Sequence, residues 1–559
     1  MGTLTAGIGT DSRQNIWNLW WGFNFFSYGQ ITPFYTTCLY YPTGVSLAYH
    51  PLGMTNIISG YALRIFTSNI NLIYNLNVVF SYIFTGVCTF WLVRKVTENS
   101  TASILSSVIF TFSAYRINRT FSGQSEVIAT QYIVLVLICF LFWKRNWDKK
   151  HAFLTGICIG IVAWNSMYQL LGLIILFIIL WSYEFIKQIL SKQALFPFLI
   201  GTAILGIVAL IIASPLIVEA VKYQDEFQSI SDQTYASMLN SVDPTNFLLP
   251  TTITPPSWLM KIPNALDMLW TFYDKYSPLS VRPVYIGIIV FLIIFCGFFS
   301  VRDKKLLKIL LLSAFFATLC LGPTLTILGH PITQKTPYQL INSLPFLGLS
   351  RTPFHFQLFV MLGMAIACGL IVTNWMKRGK FKSWMALVLA IFVFLENLVL
   401  PFWTEDLSKL VSPFDEIIAK DPDMTNAVLD IPIDLYGAQG PADDYMYLQT
   451  IHQHPIVGGY IARTPEDRST EINNSPFLFE LRARMYDDQA PYEFSDDEIS
   501  VAIKDLCQIH PRYIIVHKDY LGEDNYDLIN STVEIVLGKS SYSDEKISAW
   551  IFDSYQLCH

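Results

Sequence analysis

The 559-residue chain is 53% hydrophobic and 14% charged, against about 25% charged residues in a soluble globular protein, which excludes a single soluble domain and points to a polytopic membrane protein. Its net charge of −6 hides an asymmetry: 29 of the 43 acidic residues but only 11 of the 37 basic ones lie from Trp403 onward. Opposite charge balance in the two parts implies two domains, and nine scattered cysteines without CxxC or Cys/His spacing carry no zinc or redox motif.

The chain opens on GTDSRQNIWNLWWGF, residues 9–23. Ile16, Leu19, Trp20 and Phe23 recur at helical spacing, and Trp17, Trp20 and Trp21 suit the headgroup level. The spacing predicts a helix lying along the membrane surface, with Asp11 and Arg13 at its start. Asp11 or Ser12 is otherwise simply its cap. A Tyr- and Pro-rich stretch reaching His50 and a second amphipathic segment complete a first loop over 1–72.

Residues 73–402 hold ten apolar runs of roughly spanning length, near 73–93, 100–115, 126–143, 152–165, 167–186, 195–215, 284–301, 306–323, 355–376 and 383–402. Basic residues fill every second connection: Arg94 and Lys95, Lys144 to Lys150, Lys187 and Lys192, Arg302 to Lys308, and Lys377 to Lys382. The positive-inside rule makes these cytoplasmic. Residues 1–72, 116–125, 165–167, 216–283, 324–354 and 403–559 then lie outside, in a multi-pass protein of the plasma (inner) membrane. GTLTAGIGT after Met1 is no signal peptide, so an exoplasmic start leads us to expect a further span upstream.

From 403 the character changes. NAVLDIPI, RYIIVHKDY, VEIVLG and ISAWIF read as strands, while Ile499, Ile503 and Leu506 follow a helical period. The prediction is a soluble α/β domain with its own core. Cys507 and Cys558 share this tail and pair there if the compartment is oxidising. His452 and His454 would share a strand face but have no third ligand, so no metal site is predicted. Gly458 and Gly459 mark a turn, and Asn118 and Asn530 open glycosylation sequons.

DSRQNIWNLWW, LYYPTGVSL with His50, SAYRINRTFSGQSE, VRPVYIG and LSRTPFHFQLFVMLGMAIACG together resemble uncharacterised prokaryotic membrane proteins related to the GT-C superfamily of polyprenyl-phosphate-sugar-dependent glycosyltransferases. The resemblance runs over nearly the whole chain. It implies a mainly α transmembrane bundle with exoplasmic interfacial helices, a C-terminal soluble α/β domain, and a catalytic acid early in the first loop. Carried onto this chain, that acid is Asp11, and Ser12 stands where relatives often place a second acid. A lipid phosphate is a good leaving group, so one carboxylate acting as base can suffice where glycosidases use two.

Glu126 is the candidate second acid, or an acid stabilised by a helix N-terminus. Arg13, Arg116, Arg119, Arg351 and His355 are candidates for binding phosphate or substrate, a role that suits the planar fork of the arginines; Arg116, Arg119, Arg351 and His355 are otherwise headgroup contacts or interfacial anchors. His50 either orients a sugar or caps a turn, and Asp243 is placed in a Pro-rich loop lining an acceptor groove.

The function expected is transfer of a sugar from a polyprenyl-phosphate carrier to an exoplasmic glycan, lipid or protein acceptor in the cell envelope. The alternative is a noncatalytic GT-C-like protein acting in lipid or polysaccharide transport or assembly. The sequence implies no cofactor and no nucleic acid; a divalent metal is compatible with the reaction but has no ligand set.

Overall fold

The computed structural model describes residues 3–191, 195–224, 233–252, 254–276, 282–342, 351–433, 441–465, 474–486, 495–553 and 557–558. Met1, Gly2, Lys192, Val281, Leu349 and Ser350, which belong to stretches named above, lie outside them. All ten apolar runs contain a helix: Ile70–Thr97, Ser100–Thr111, Gln131–Asn146, Lys149–Asn165, Met167–Ser191, Leu195–Lys222, Ile288–Ser300, Lys304–Cys320, Gln357–Lys377 and Ser383–Asn397.

Side-chain caps start several of them. Asn69, Asn99 and Asp148 accept from the backbone of Leu72, Ala102 and His151, which satisfies amides left open in a first turn. Five stretches, Ile70–Thr97, Ser125–Asn146, Met167–Ser191, Leu195–Lys222 and Pro353–Lys377, are long and apolar enough to cross a bilayer, and the chain is a multi-pass membrane protein. Ser100–Thr111 has 12 residues, about 18 Å of helix, too short to cross alone. It is instead packed inside the bundle, with most of its residues buried. Small residues permit close crossings: a methyl on Gly172 would sit 2.0 Å from the Phe359 ring.

The carboxyl-terminal part is an α/β unit with a four-stranded sheet in the order Ala427–Ile431, Pro511–His517, Ile547–Ile551, Tyr542–Ser543. The first pair is parallel, with Leu429 opposite Ile514, and the others are antiparallel, with Ala549 opposite Ile515. Asp496–Ile509 is the expected helix, started by a Ser495–Glu498 capping box. Cys507 and Cys558 are joined in a disulfide.

One predicted strand is wrong. VEIVLG ends the helix Lys518–Leu537. Ile529, Thr532, Val533 and Val536 are buried along its second half, spaced i, i+3, i+4, i+7, so a short apolar run that reads as a strand alone is the inner face of a helix.

The placement of the opening helix also differs from expectation. Thr10–Asn24 is a helix, but Trp17, Trp20 and Trp21 are 0–3% exposed and share a hydrophobic core with Leu429, Met446 and Ile456 of the α/β unit. They cement the first loop to that unit rather than lie among headgroups. Trp17 and Trp20 donate their indole N–H to Gln449 and Gln453, partners that an aqueous interface would otherwise supply. Met54–Leu63 is the helix that keeps an apolar outer face, with Ile58 and Tyr61 exposed and Ile65 and Phe66 just beyond it. Leu4–Ala6 pairs antiparallel with Thr404–Asp406, so both sides of the cleft described next are tied together.

Candidate functional site

Gly9 occupies the cap position of the opening helix and no side chain caps it, so neither Asp11 nor Ser12 does that work. The Ser12 hydroxyl donates to Gly9 O at 2.7 Å. A tight turn at Gly123, φ +81°, follows the helix Ala114–Phe121 and lies on Ser12: a Cβ on Gly123 would meet Ser12 N at 2.2 Å. Only glycine fits that approach. Asn15 and Tyr74 both donate to Gly123 O, at 3.1 and 3.2 Å, fixing DSRQN against FSGQSE.

The docked turn delivers Gln124 to Asp11. Gln124 Nε2 donates to Asp11 Oδ2 at 2.7 Å, and Gln124 Oε1 accepts from Arg119 Nη1 at 3.1 Å. Burial pushes the Asp11 carboxyl above its ordinary value, against the opposing pull of Gln124, Arg119 and Arg351. Arg119 also donates to Asn118 Oδ1, and its guanidinium lies 4.8 Å over the Phe354 ring. Its Nε is buried and has no hydrogen-bond partner among the described residues. Burial lowers its pKa, with Asp11 and Glu126 among the groups pulling it back up.

Glu126 is 3% exposed and stands beside Asp11, Arg119 and Asn15, with Oε2 unpartnered among the described residues. A second carboxyl, from another part of the chain, thus lies close enough to Asp11 to act on it. Arg351 reaches the same cleft and acts on Asp11. His355 is one shell further out: its Nδ1 is 2.6 Å from Tyr115 OH, and its ring stacks on Tyr168 and packs against Phe354.

Four of the candidates are engaged by partners within the protein. Arg116 is fully buried and donates to Thr111 O at 2.7 Å, to Ile128 O at 2.8 Å and to Ser81 Oγ at 3.1 Å. It closes helix ends and has no face for a phosphate. Arg13 is bound by Glu405 at 2.7 Å, Asp443 at 3.0 Å and Asp444, which commits it to the α/β unit. His50 accepts from Ala462 N at 3.3 Å on Nδ1 and sits 2.9 Å from Asn18 Oδ1 on Nε2. Burial drives its pKa to about 3, so the neutral ring supports the chain around Ala462. Asp243 accepts from Thr245 N at 3.0 Å and Gly329 N at 3.2 Å and is fully buried; it shapes its own loop.

Several residues of the cleft carried no assignment. Gln124 adjoined the candidates but is not ionisable. Arg282 shares the Phe354 ring with Arg119 at 5.5 Å and donates to Leu239 O at 2.6 Å; its signal was the one used for Arg351, an arginine at the mouth of a span. Burial, then Arg119, push it down to about 10. Tyr460 and Arg463 come from the α/β unit, some 450 positions from Asp11, and nothing local marks them.

Beside the cleft is an apolar cavity of about 190 Å³, lined by Tyr82, Phe112, Ile117, Phe121, Thr254, Phe394, Leu398, Val399, Phe402 and Trp403. Asn118 donates to Thr254 Oγ1 at 3.1 Å, so a short polar path joins Arg119 to the cavity rim. His454 N donates to His452 Nδ1, and His454 Nδ1 is 2.9 Å from Asn426 O. Among the described residues no three His, Cys, Asp or Glu side chains are grouped to hold a metal.

No protein-family model matches the chain, and no curated protein matches its sequence. Solved structures do resemble it. Mycobacterial arabinofuranosyltransferase AftD superposes with a TM-score of 0.54 at 13% identity, over 98% of this chain and 38% of that one. The Archaeoglobus fulgidus oligosaccharyltransferase gives 0.48 at 12% identity, over 92% of this chain and 66% of that one. ArnT from Cupriavidus metallidurans gives 0.37 at 12% identity, over 98% and 93%. The chain thus spans less than two thirds of the first two proteins. The chain therefore shares its fold with AftD.

Proposed function

We propose that this protein is a membrane glycosyltransferase that moves a sugar from a polyprenyl-phosphate carrier to an acceptor outside the cytoplasm, with Asp11 as general base. The observation that carries this reading is the relay Arg119–Gln124–Asp11. It holds one carboxylate oxygen and a buried arginine, whose Nε–H has no partner among the described residues, in one cleft.

In the proposed reaction the acceptor hydroxyl gives its proton to Asp11 Oδ1 as its oxygen bonds to the anomeric carbon. The bond from that carbon to the lipid phosphate breaks, and the phosphate leaves with the electron pair. Arg119 and Arg282 face that developing charge, where fixed cations act most strongly. Glu126 pulls on Arg119 and so positions it. The apolar cavity beside Asn118 and Thr254 accepts part of the polyprenyl chain. AftD, of the same fold, is named an arabinofuranosyltransferase, which supports glycosyl transfer. The basic connections and the Cys507–Cys558 bond support an outward, oxidising location for the α/β unit.

Protein purified into lipid nanodiscs and offered a panel of polyprenyl-phosphate sugars tests this. Asp11→Asn is expected to lower transfer at least about a hundredfold, the usual scale of a lost general base, with the fold retained. Undiminished turnover in that variant removes Asp11 from the mechanism. Lipid movement across liposomes without any sugar transfer would instead establish the noncatalytic alternative.

A further inference from the structure

Three parts of the chain meet at the ring of Phe354. Arg119, from the helix Ala114–Phe121, lies with its guanidinium carbon 4.8 Å from the ring centroid, and Arg282, from the segment before Ile288–Ser300, lies 5.5 Å from the same centroid. The ring is 3% exposed and belongs to the single turn Pro353–Phe356. Both of its neighbours are tied to that turn. Tyr115 OH, one helical turn before Arg119, is 2.6 Å from Nδ1 of the adjoining His355. Gln357 Nε2, directly after the turn, donates to Val284 O at 2.6 Å, two residues beyond Arg282. The ring and its two cations are therefore held by contacts on each side of them.

The hydrogen-bond partners of the two arginines are all uncharged. Arg119 gives Nη1 and Nη2 to the side-chain oxygens of Gln124 and Asn118, and Arg282 gives Nη2 to Leu239 O. Both Nε atoms are buried and have no hydrogen-bond partner among the described residues. Among those residues neither arginine forms an ion pair, whereas Arg13 forms three.

Two like charges brought to one ring repel each other, and some attraction must hold them there. A carboxylate would supply it, but would cancel the charge and take up the N–H groups. The ring supplies it differently. Both guanidiniums lie within the roughly 6 Å over which the negative face of an aromatic ring attracts a cation. The ring carries no net charge and no acceptor oxygen, so it holds the arginines without neutralising them. An oxyanion that enters the cleft then meets two cations already in place, each with an N–H to give.

We propose that Phe354 is a positioning residue of the donor site: its ring holds Arg119 and Arg282 by cation–π attraction where a carboxylate would neutralise them, and so keeps both charges for the phosphate of the donor. This rests on the glycosyl-transfer reading above.

Binding of undecaprenyl phosphate to the full chain in nanodiscs tests it, with undecaprenol as the neutral control. Phe354 is replaced by mono-, di- and trifluorophenylalanine through nonsense suppression, which drains the ring face of negative potential while nearly preserving its shape. Affinity for undecaprenyl phosphate is expected to fall stepwise, about tenfold in all, and undecaprenol binding to stay within about twofold. Phe354→Leu should lose at least as much as the trifluoro ring. Fluorination should cost clearly less in an Arg119→Gln background, because the two changes remove one shared interaction.

A flat series overturns the proposal and leaves Phe354 as packing alone. A rising series overturns it as well, since the ring would then compete with phosphate for the cations. Parallel loss of undecaprenol binding overturns it by showing that the ring acts on the lipid chain through shape. Absence of undecaprenyl phosphate binding by the unmodified protein would sink the donor reading and this proposal together, whereas turnover that survives Asp11→Asn would sink only the catalytic role of Asp11.

Discussion

Arg116 and Arg119 stand three residues apart on one short helix and have opposite fates. Arg116 is surrounded by carbonyls that take up its nitrogens, while Arg119 keeps a buried N–H with no partner among the described residues. Asp11 is the residue whose chemistry these neighbours tune. Burial raises its pKa, and a base works only when ionised, so transfer should fall as pH drops through a value above the ordinary ~3.9 of an aspartate. Arg351 pulls that pKa down. Arg351→Gln should therefore move the acidic limb of the kcat/KM profile to higher pH, whereas a limb that stays in place would show that Arg351 does not act on the base.

At the scale of the element, the opening helix is the joint of the molecule. Its tryptophans stack on one another, Trp17 and Trp21 lying 5.9 Å apart and nearly parallel, and Arg13 gathers three carboxylates from the α/β side. Arg13→Ala leaves those acids without a counter-charge, and for a largely buried network the loss is about 3–5 kcal/mol, readable as a drop in Tm and as new protease sensitivity near Trp403. The loss should depend on pH. Burial first, then Asp444, push Asp443 up to about 7, so the folded protein holds this proton to higher pH than the unfolded chain does. Folding then takes up a proton between the two pKa values, and stability is withdrawn as pH rises toward 7. Asp443→Asn should flatten that slope, as thermal unfolding at pH 5 and pH 8 would show.

For the whole molecule, the cleft exists because three distant parts meet: the first loop, the mouths of the spans around Arg119, Arg282 and Arg351, and the 457–464 segment of the α/β unit. The last arrives on a sheet edge, since Ile456 bridges to Val428 and residues 38–41 continue the pairing beyond it. That edge is covered rather than left open. The Cys507–Cys558 bond, 51 positions apart, restrains the end of the same unit. Loop-closure entropy puts its contribution at about 4 kcal/mol. The Cys507→Ser/Cys558→Ser variant should unfold at lower temperature under oxidising conditions, and reductant should lower the unmodified protein toward it while leaving the variant unchanged.

The apolar runs, the acidic tail and the helical period of Asp496–Ile509 were legible because hydrophobic burial follows local periodicity, which a sequence carries on its face. Asp11, Arg119, Glu126 and Arg351 were legible as charged groups at the edges of such runs. The sequence could not say which of these charges would be consumed by carbonyls or carboxylates, as Arg116 and Arg13 are. Nor could it tell that Trp17 and Trp20 of a surface-like helix would be buried against Gln449 and Gln453, or that Tyr460 would come near Asp11 from the far end of the chain. Those outcomes depend on which backbone groups and opposite charges come within a few ångströms of one another. Only the tertiary structure sets that proximity, because hydrogen bonding and desolvation act at contact distance whatever the separation along the chain.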